Sequence, residues 1–157
     1  MEYAVEDILM NHEEFKRLFG DIATRSGFQR AYGGWFIESP ETVIVLDLQK
    51  SNYEDCYYLN LKIYVQGLFG NQYRREKKLV KTDVGDVFTR PPKEYNDIFN
   101  LESNIDVSDR IKGLHQLFNE YIQPIVALAS TKGGIFELDK IGRLHILPAV
   151  KEALVKI

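Results

Sequence analysis

The pair Gly33-Gly34, set between two short alternating segments, constrains this chain more than any other feature of its sequence. Tight two-residue hairpin turns of the primed type need positive φ, which glycine adopts without a side-chain clash. Residues 28–32 and 35–39 therefore predict an antiparallel hairpin with Tyr32 opposite Trp35. The alternation then continues. A Pro40-Glu41 corner leads into residues 42–51, a polar Asn52-Tyr53-Glu54-Asp55 turn follows, and residues 56–66 complete four strands in sequence.

Directly opposed residues of an antiparallel pair share a face, so the three turns must agree on which side is apolar. Tyr32 opposite Trp35, Ile37 opposite Ile44 and Leu48 opposite Leu59 do agree. They collect Phe28, Arg30, Tyr32, Trp35, Ile37, Ile44, Leu46, Leu48, Leu59, Leu61, Ile63 and Val65 on one face, where only Arg30 is polar in character. The other face takes Gln29, Phe36, Glu38, Val43, Val45, Asp47, Gln49, Tyr58, Asn60, Lys62 and Tyr64, and is mixed. The first face needs helices to cover it, whereas the second can stand in water.

The flanking segments supply those helices. From residue 5 to residue 25, Ile8, Leu9, Phe15, Leu18, Phe19, Ile22 and Ala23 recur at three- and four-residue spacing, and Gly27 supplies the stop. Residues 106–130 carry a broad helical apolar face, with Asp106 or Ser108 as cap and Pro124 predicted to kink or split the helix. After Gly133-Gly134, residues 135–141 and 148–157 read as two shorter helices, with Pro148 in a tolerated first-turn position. Residues 67–103 are poorly patterned and read as irregular with one short strand, either a functional insertion or a cover for the mixed face. The fold expectation is one α+β domain over residues 1–157: a four-stranded antiparallel meander with an amino-terminal helix and carboxy-terminal helices packed on its apolar face.

Composition narrows the function classes. Of 157 residues 45% are hydrophobic and the net charge is −3, too apolar and too weakly charged for a disordered chain. No apolar run approaches the roughly 20 residues of a membrane span, and residues 1–7 lack the basic and apolar regions of a secretory signal, so a cytoplasmic location is expected. The lone Cys56 has no thiol to pair with, fits a reducing compartment and is expected to be a small core residue. Twenty Lys and Arg against 23 Asp and Glu argue against a nucleic-acid or anionic-membrane partner. Locally, Glu2, Glu6, Asp7, Glu13 and Glu14 make the amino terminus acidic. Arg74, Arg75, Lys77, Lys78 and Lys81 form a basic run, which suits either a solvated edge or an acidic partner.

Catalytic templates find little support. His12-Glu13-Glu14 begins like a zinc-protease helix, but Lys16 stands where the second ligand belongs. His115 and His145 read as packing or surface residues. Thr131-Lys132-Gly133-Gly134 has the residue types of a phosphate loop in the wrong order, no Gly-x-Ser-x-Gly elbow exists, and Cys56 has no local histidine. No catalytic residue, metal or cofactor is assigned.

The mixed face is then the most concrete candidate site. Tyr58, Tyr64 and Phe36 offer rigid contact area there, while Asp47, Gln49, Asn60 and Lys62 offer polar specificity. Base stacking on such a face is opposed by Glu38 and Asp47, which repel a nucleic-acid backbone. The leading expectation is a non-enzymatic module that binds another protein through this face or through the basic run, immunity- or adaptor-like by analogy with small acidic bacterial proteins. The alternative is a small-ligand binder or enzyme using Asp47, Lys62 and Tyr58 in a cleft where residues 67–105 cross the sheet, with a shifted Lys62 moving protons.

A helix ending in Gly27-Phe28, the aromatic pair Trp35-Phe36, the strand end Leu48-Gln49-Lys50-Ser51 and the strand Tyr58-Leu59-Asn60-Leu61 together resemble the DUF4304 family, a bacterial domain family of unknown function. The resemblance implies an α+β fold and brings no catalytic residue with it. Gln49 and Asn60 have a physical reading of their own, as side chains that tie neighbouring strands together or touch a ligand.

Overall fold

The computed structural model describes residues 10–157, so Ile8, Leu9 and the acidic Glu2, Glu6 and Asp7 lie outside the described residues. Helix α1, His12–Arg25, starts at a reciprocal cap: Asn11 Oδ1 accepts from the Glu14 amide at 2.8 Å, and Glu14 reaches back to the Asn11 amide. It stops at Gly27, whose φ of +99° lets the Phe28 amide donate back to the Ala23 carbonyl. Phe15, Phe19, Ile22 and Ala23 are its buried stripe.

The chain then runs as an antiparallel meander in sequence order: β1 Gln29–Ala31, β2 Gly34–Glu38, β3 Thr42–Lys50, β4 Tyr57–Val65 and β5 Val87–Thr89. The registers expected at the second and third turns are present, with Ile37 opposite Ile44 and Leu48 opposite Leu59. The first hairpin is shifted. Ala31 pairs with Gly34, so the turn residues are Tyr32 and Gly33, at φ +54° and +81°. Gly34 is drawn into the strand because a Cβ there would stand 2.9 Å from the Leu46 carbonyl and 3.0 Å from Val80. A slip of two residues preserves the face, so Phe28 stays inside, but Tyr32 leaves the apolar face and is 53% exposed. Left-handed backbone is costly for tyrosine, and Asn-Gly is the preferred pair for such a turn. Tyr32→Asn should therefore stabilise the fold by roughly 0.5–1 kcal/mol, read as a higher urea midpoint at unchanged slope.

Five strands replace the four expected. The three-residue β5 pairs through Leu61 with Thr89, Lys62 with Phe88 and Ile63 with Val87. Such a strand is too short to show alternation in sequence. The apolar face packs against α1, α3 (Asn96–Phe99), α4 (Val107–Leu117), α5 (Gln123–Ala129), α6 (Lys132–Lys140) and α7 (Pro148–Val155) in one continuous core. Asp106 caps α4, accepting from the Asp109 amide at 2.8 Å. Pro124 neither breaks nor isolates the helix that follows. A wide turn, Phe118–Ile122, absorbs it, and the Glu120 carbonyl four residues before the proline accepts from Arg143 Nη1 instead. Helix α6 starts before the expected residue 135, because Thr131 caps it through the Gly134 amide and both glycines lie in its first turn. Cys56 is half-buried in a bridge to Asn100 and is not a core residue.

The mixed face is covered in part. Helix α2, Lys77–Lys81, sets Leu79 and Val80 on Phe36, Val43, Val45 and Tyr64 to make a second, smaller apolar cluster. Among the described residues no helix is long and apolar enough to cross a membrane.

Candidate functional site

Two of the expected recognition residues are enclosed by α2. Lys62 Nζ donates to the Val80 carbonyl at 2.8 Å and to the Leu79 carbonyl at 3.3 Å, and the Tyr64 hydroxyl donates to Leu79 at 2.8 Å. These carbonyls end a helix and have no partner within it, so the two side chains pin α2 to the sheet. Lys62 and Tyr64 are only 4% and 2% exposed, which removes them from any docking surface. Burial holds the Lys62 ammonium below the ordinary lysine range, against the opposing pull of Asp47 at 3.9 Å. Its protons are committed to structure. The sequence could not show this, because the cover is a five-residue helix inside the unpatterned segment.

Behind α2 the cluster continues through Tyr73, whose hydroxyl donates to Asp86 Oδ1 at 3.1 Å while Asp86 Oδ2 accepts from the Val65 amide. Burial and the neighbouring carboxylates push Tyr64 well up and Tyr73 up to about 12. A phenol raised in the folded state keeps a proton that the unfolded chain gives up near pH 10, so its stabilisation is complete below that pH and lost as the pH climbs toward 12. Far-UV circular dichroism should therefore collapse between pH 10 and 12. Full tyrosinate absorbance over an unchanged dichroism spectrum contradicts this.

Beyond the end of α2 the mixed face opens. Asp47, Gln49, Asn60, Lys81, Asp83, Phe88 and Arg90 line a cleft of about 450 Å³. Its floor is Asn60, 4% exposed and fully engaged: Nδ2 donates to Asp47 Oδ2 at 3.2 Å and to Gln49 Oε1 at 3.0 Å, and Oδ1 accepts from Arg90 Nε at 2.9 Å. Asp47 opposite Asn60 and Gln49 opposite Tyr58 are the expected pairs. Arg90 is the residue the sequence analysis missed. Its guanidinium lies 4.8 Å from the Tyr58 ring centre and 5.6 Å from that of Phe88, and both rings are substantially exposed at 43% and 39%. One signal was there to read: Pro91 forces the residue before it into extended backbone, which continues the β5 pleat and puts Arg90 on the face of Phe88.

The basic run is divided. Arg75 pairs with Glu38, donates to Gln29 at 2.6 Å and stacks on Phe36, while Arg74 and Lys78 both bind Glu76. Lys77 is exposed to solvent and Lys81 borders the cleft. His12 Nδ1 meets the Tyr57 hydroxyl at 2.8 Å and Nε2 meets Asp55 at 3.2 Å, tying α1 to the turn before β4; His115 and His145 are on the surface. Among the described residues no three His, Cys, Asp or Glu side chains stand together as a metal site.

The family model of DUF4304, a domain of unknown function, matches residues 19–128. The chain belongs to the DUF4304 family. The DUF4304 match contains all five strands, α2 and every residue that lines the cleft. No curated protein and no solved structure matches the chain.

Proposed function

We propose that this DUF4304 chain is a non-enzymatic protein-binding module that docks its partner on the open half of the mixed sheet face. One observation carries the reading: an exposed arginine held between two exposed aromatic rings beside a cleft. Tyr and Arg are the residue types that dominate binding energy at protein interfaces, because they bring large contact area with few rotamers to freeze. Here the stack is already ordered by Asn60 and Gln49, so little freedom is lost on docking. An immunity- or adaptor-like role in the cytoplasm of a bacterial cell is the setting we assign, and the single unpaired Cys56 suits such a reducing compartment.

The test is affinity purification with the wild-type chain and a Tyr58→Ala, Arg90→Ala variant matched in dichroism. The double substitution should weaken the captured complex by about 2 kcal/mol or more, roughly thirtyfold in affinity. A complex that survives it with unchanged affinity overturns the assignment of this surface.

A further inference from the structure

The geometry points to Arg90 as a receptor for a carboxylate side chain that the partner inserts into the cleft, an inference that rests on the protein-binding reading above. A guanidinium offers two edges. The edge made by Nε and Nη2 is occupied by Asn60 Oδ1 at 2.9 Å and Gln49 Oε1 at 3.4 Å, which fixes the plane of the group. Nη1 makes no hydrogen bond among the described residues, so the end-on edge made by Nη1 and the second Nη2 proton is open. Two parallel N–H donors at the spacing of a carboxylate are what that edge presents, with Tyr58 and Phe88 holding the plane from its faces.

Charge decides between a carboxylate and a larger anion. Three cations, Lys62, Lys81 and Arg90, and two carboxylates, Asp47 and Asp83, line the cleft, a net charge of one positive. A single carboxylate brings it to neutrality. A phosphate dianion overshoots, and Asp47 and Asp83 repel its extra charge. Lys62 is spent on the α2 carbonyls, which leaves Lys81 and Arg90 as the groups able to meet the ligand. The partner is thus a protein presenting a glutamate or aspartate at its docking surface.

The experiment is an NMR titration of the 15N-labelled full chain that follows the Arg90 Nε–H and Asn60 side-chain amide signals. Three probes are added separately: N-acetyl-glutamate amide, its glutamine counterpart and inorganic phosphate. The glutamate probe is expected to shift both signals saturably, the glutamine probe at equal concentration to leave them in place, and phosphate to bind more weakly than glutamate. Arg90→Lys, which keeps the charge and loses the fork, should weaken the glutamate probe by about tenfold or more. Equal shifts from glutamate and glutamine, tighter binding of phosphate, or undiminished binding by Arg90→Lys overturns the inference. So does silence of the glutamate probe, and if Tyr58→Ala still releases the captured protein, only the carboxylate assignment has fallen. A glutamate probe that behaves as expected while no captured protein depends on Tyr58 supports the acid site and removes the protein-binding reading instead.

Discussion

Gly134→Ala should unfold the protein or cost it about 4 kcal/mol or more, while Gly133→Ala, one residue earlier in the same helix, should be neutral or slightly stabilising. A Cβ on Gly134 would drive into the backbone carbonyl of Leu128, a group held in the preceding helix, whereas a Cβ on Gly133 meets open space. Flexible side chains can move aside and backbone cannot. Alanine at position 133 gains up to about 1 kcal/mol of helix propensity over glycine. Urea unfolding of the two variants checks the contrast, and equal midpoints would remove the close-approach explanation for this glycine pair. Sequence alone placed both glycines ahead of the helix. The Thr131 cap and the near-collision of α5 with α6 put them inside it.

Lys62→Ala is expected to cost about 2–4 kcal/mol, through two effects that add. It orphans the buried Val80 carbonyl, leaves the Leu79 carbonyl to Tyr64 alone, and leaves a void beneath a small core. Hydrogen exchange should accelerate first in residues 77–81, because among the described residues no polar side chain but Tyr64 then ties that helix to the sheet. Lys62→Met, which keeps the volume, separates the two effects and should cost less than alanine. The pH dependence is a second signature. Burial lowers the folded-state value for Lys62, so between it and the ordinary lysine range the unfolded chain binds more protons, and stability rises with pH. Wild type should therefore improve relative to Lys62→Met as the pH rises through that window, with the tyrosine losses common to both. A flat difference between the two would mean that the ammonium is better hydrated than its enclosure implies.

These two cases mark where the sequence was legible. Alternation and turn chemistry gave the central three strands with the register found, because period two is a geometric rule and Pro40-Glu41 and residues 52–55 leave few alternatives. They also gave Asp47, Gln49, Tyr58 and Asn60 on one face, and the structure does bring these four together. What the sequence withheld depends on long-range approach. Val80 against Gly34 moved the first turn, α2 took Lys62 and Tyr64 out of reach, and β5 delivered Arg90. None of these contacts leaves a periodic trace, since each involves three to five residues of a segment whose order comes from the sheet beneath it.

The strand lengths carry a last consequence. Two nine-residue strands stand at the centre, and the sheet tapers to three residues at each border, Gln29–Ala31 on one side and Val87–Thr89 on the other. A border strand is the place where a second chain can add itself and begin a fibril. Here one border carries the exposed Arg30 and ends in a tight turn, and the other runs within two residues into Pro91-Pro92, which has no amide hydrogen to offer. The long apolar strands that build the core are thereby kept two places away from any edge that aggregation could extend, on one side, and one place away on the other.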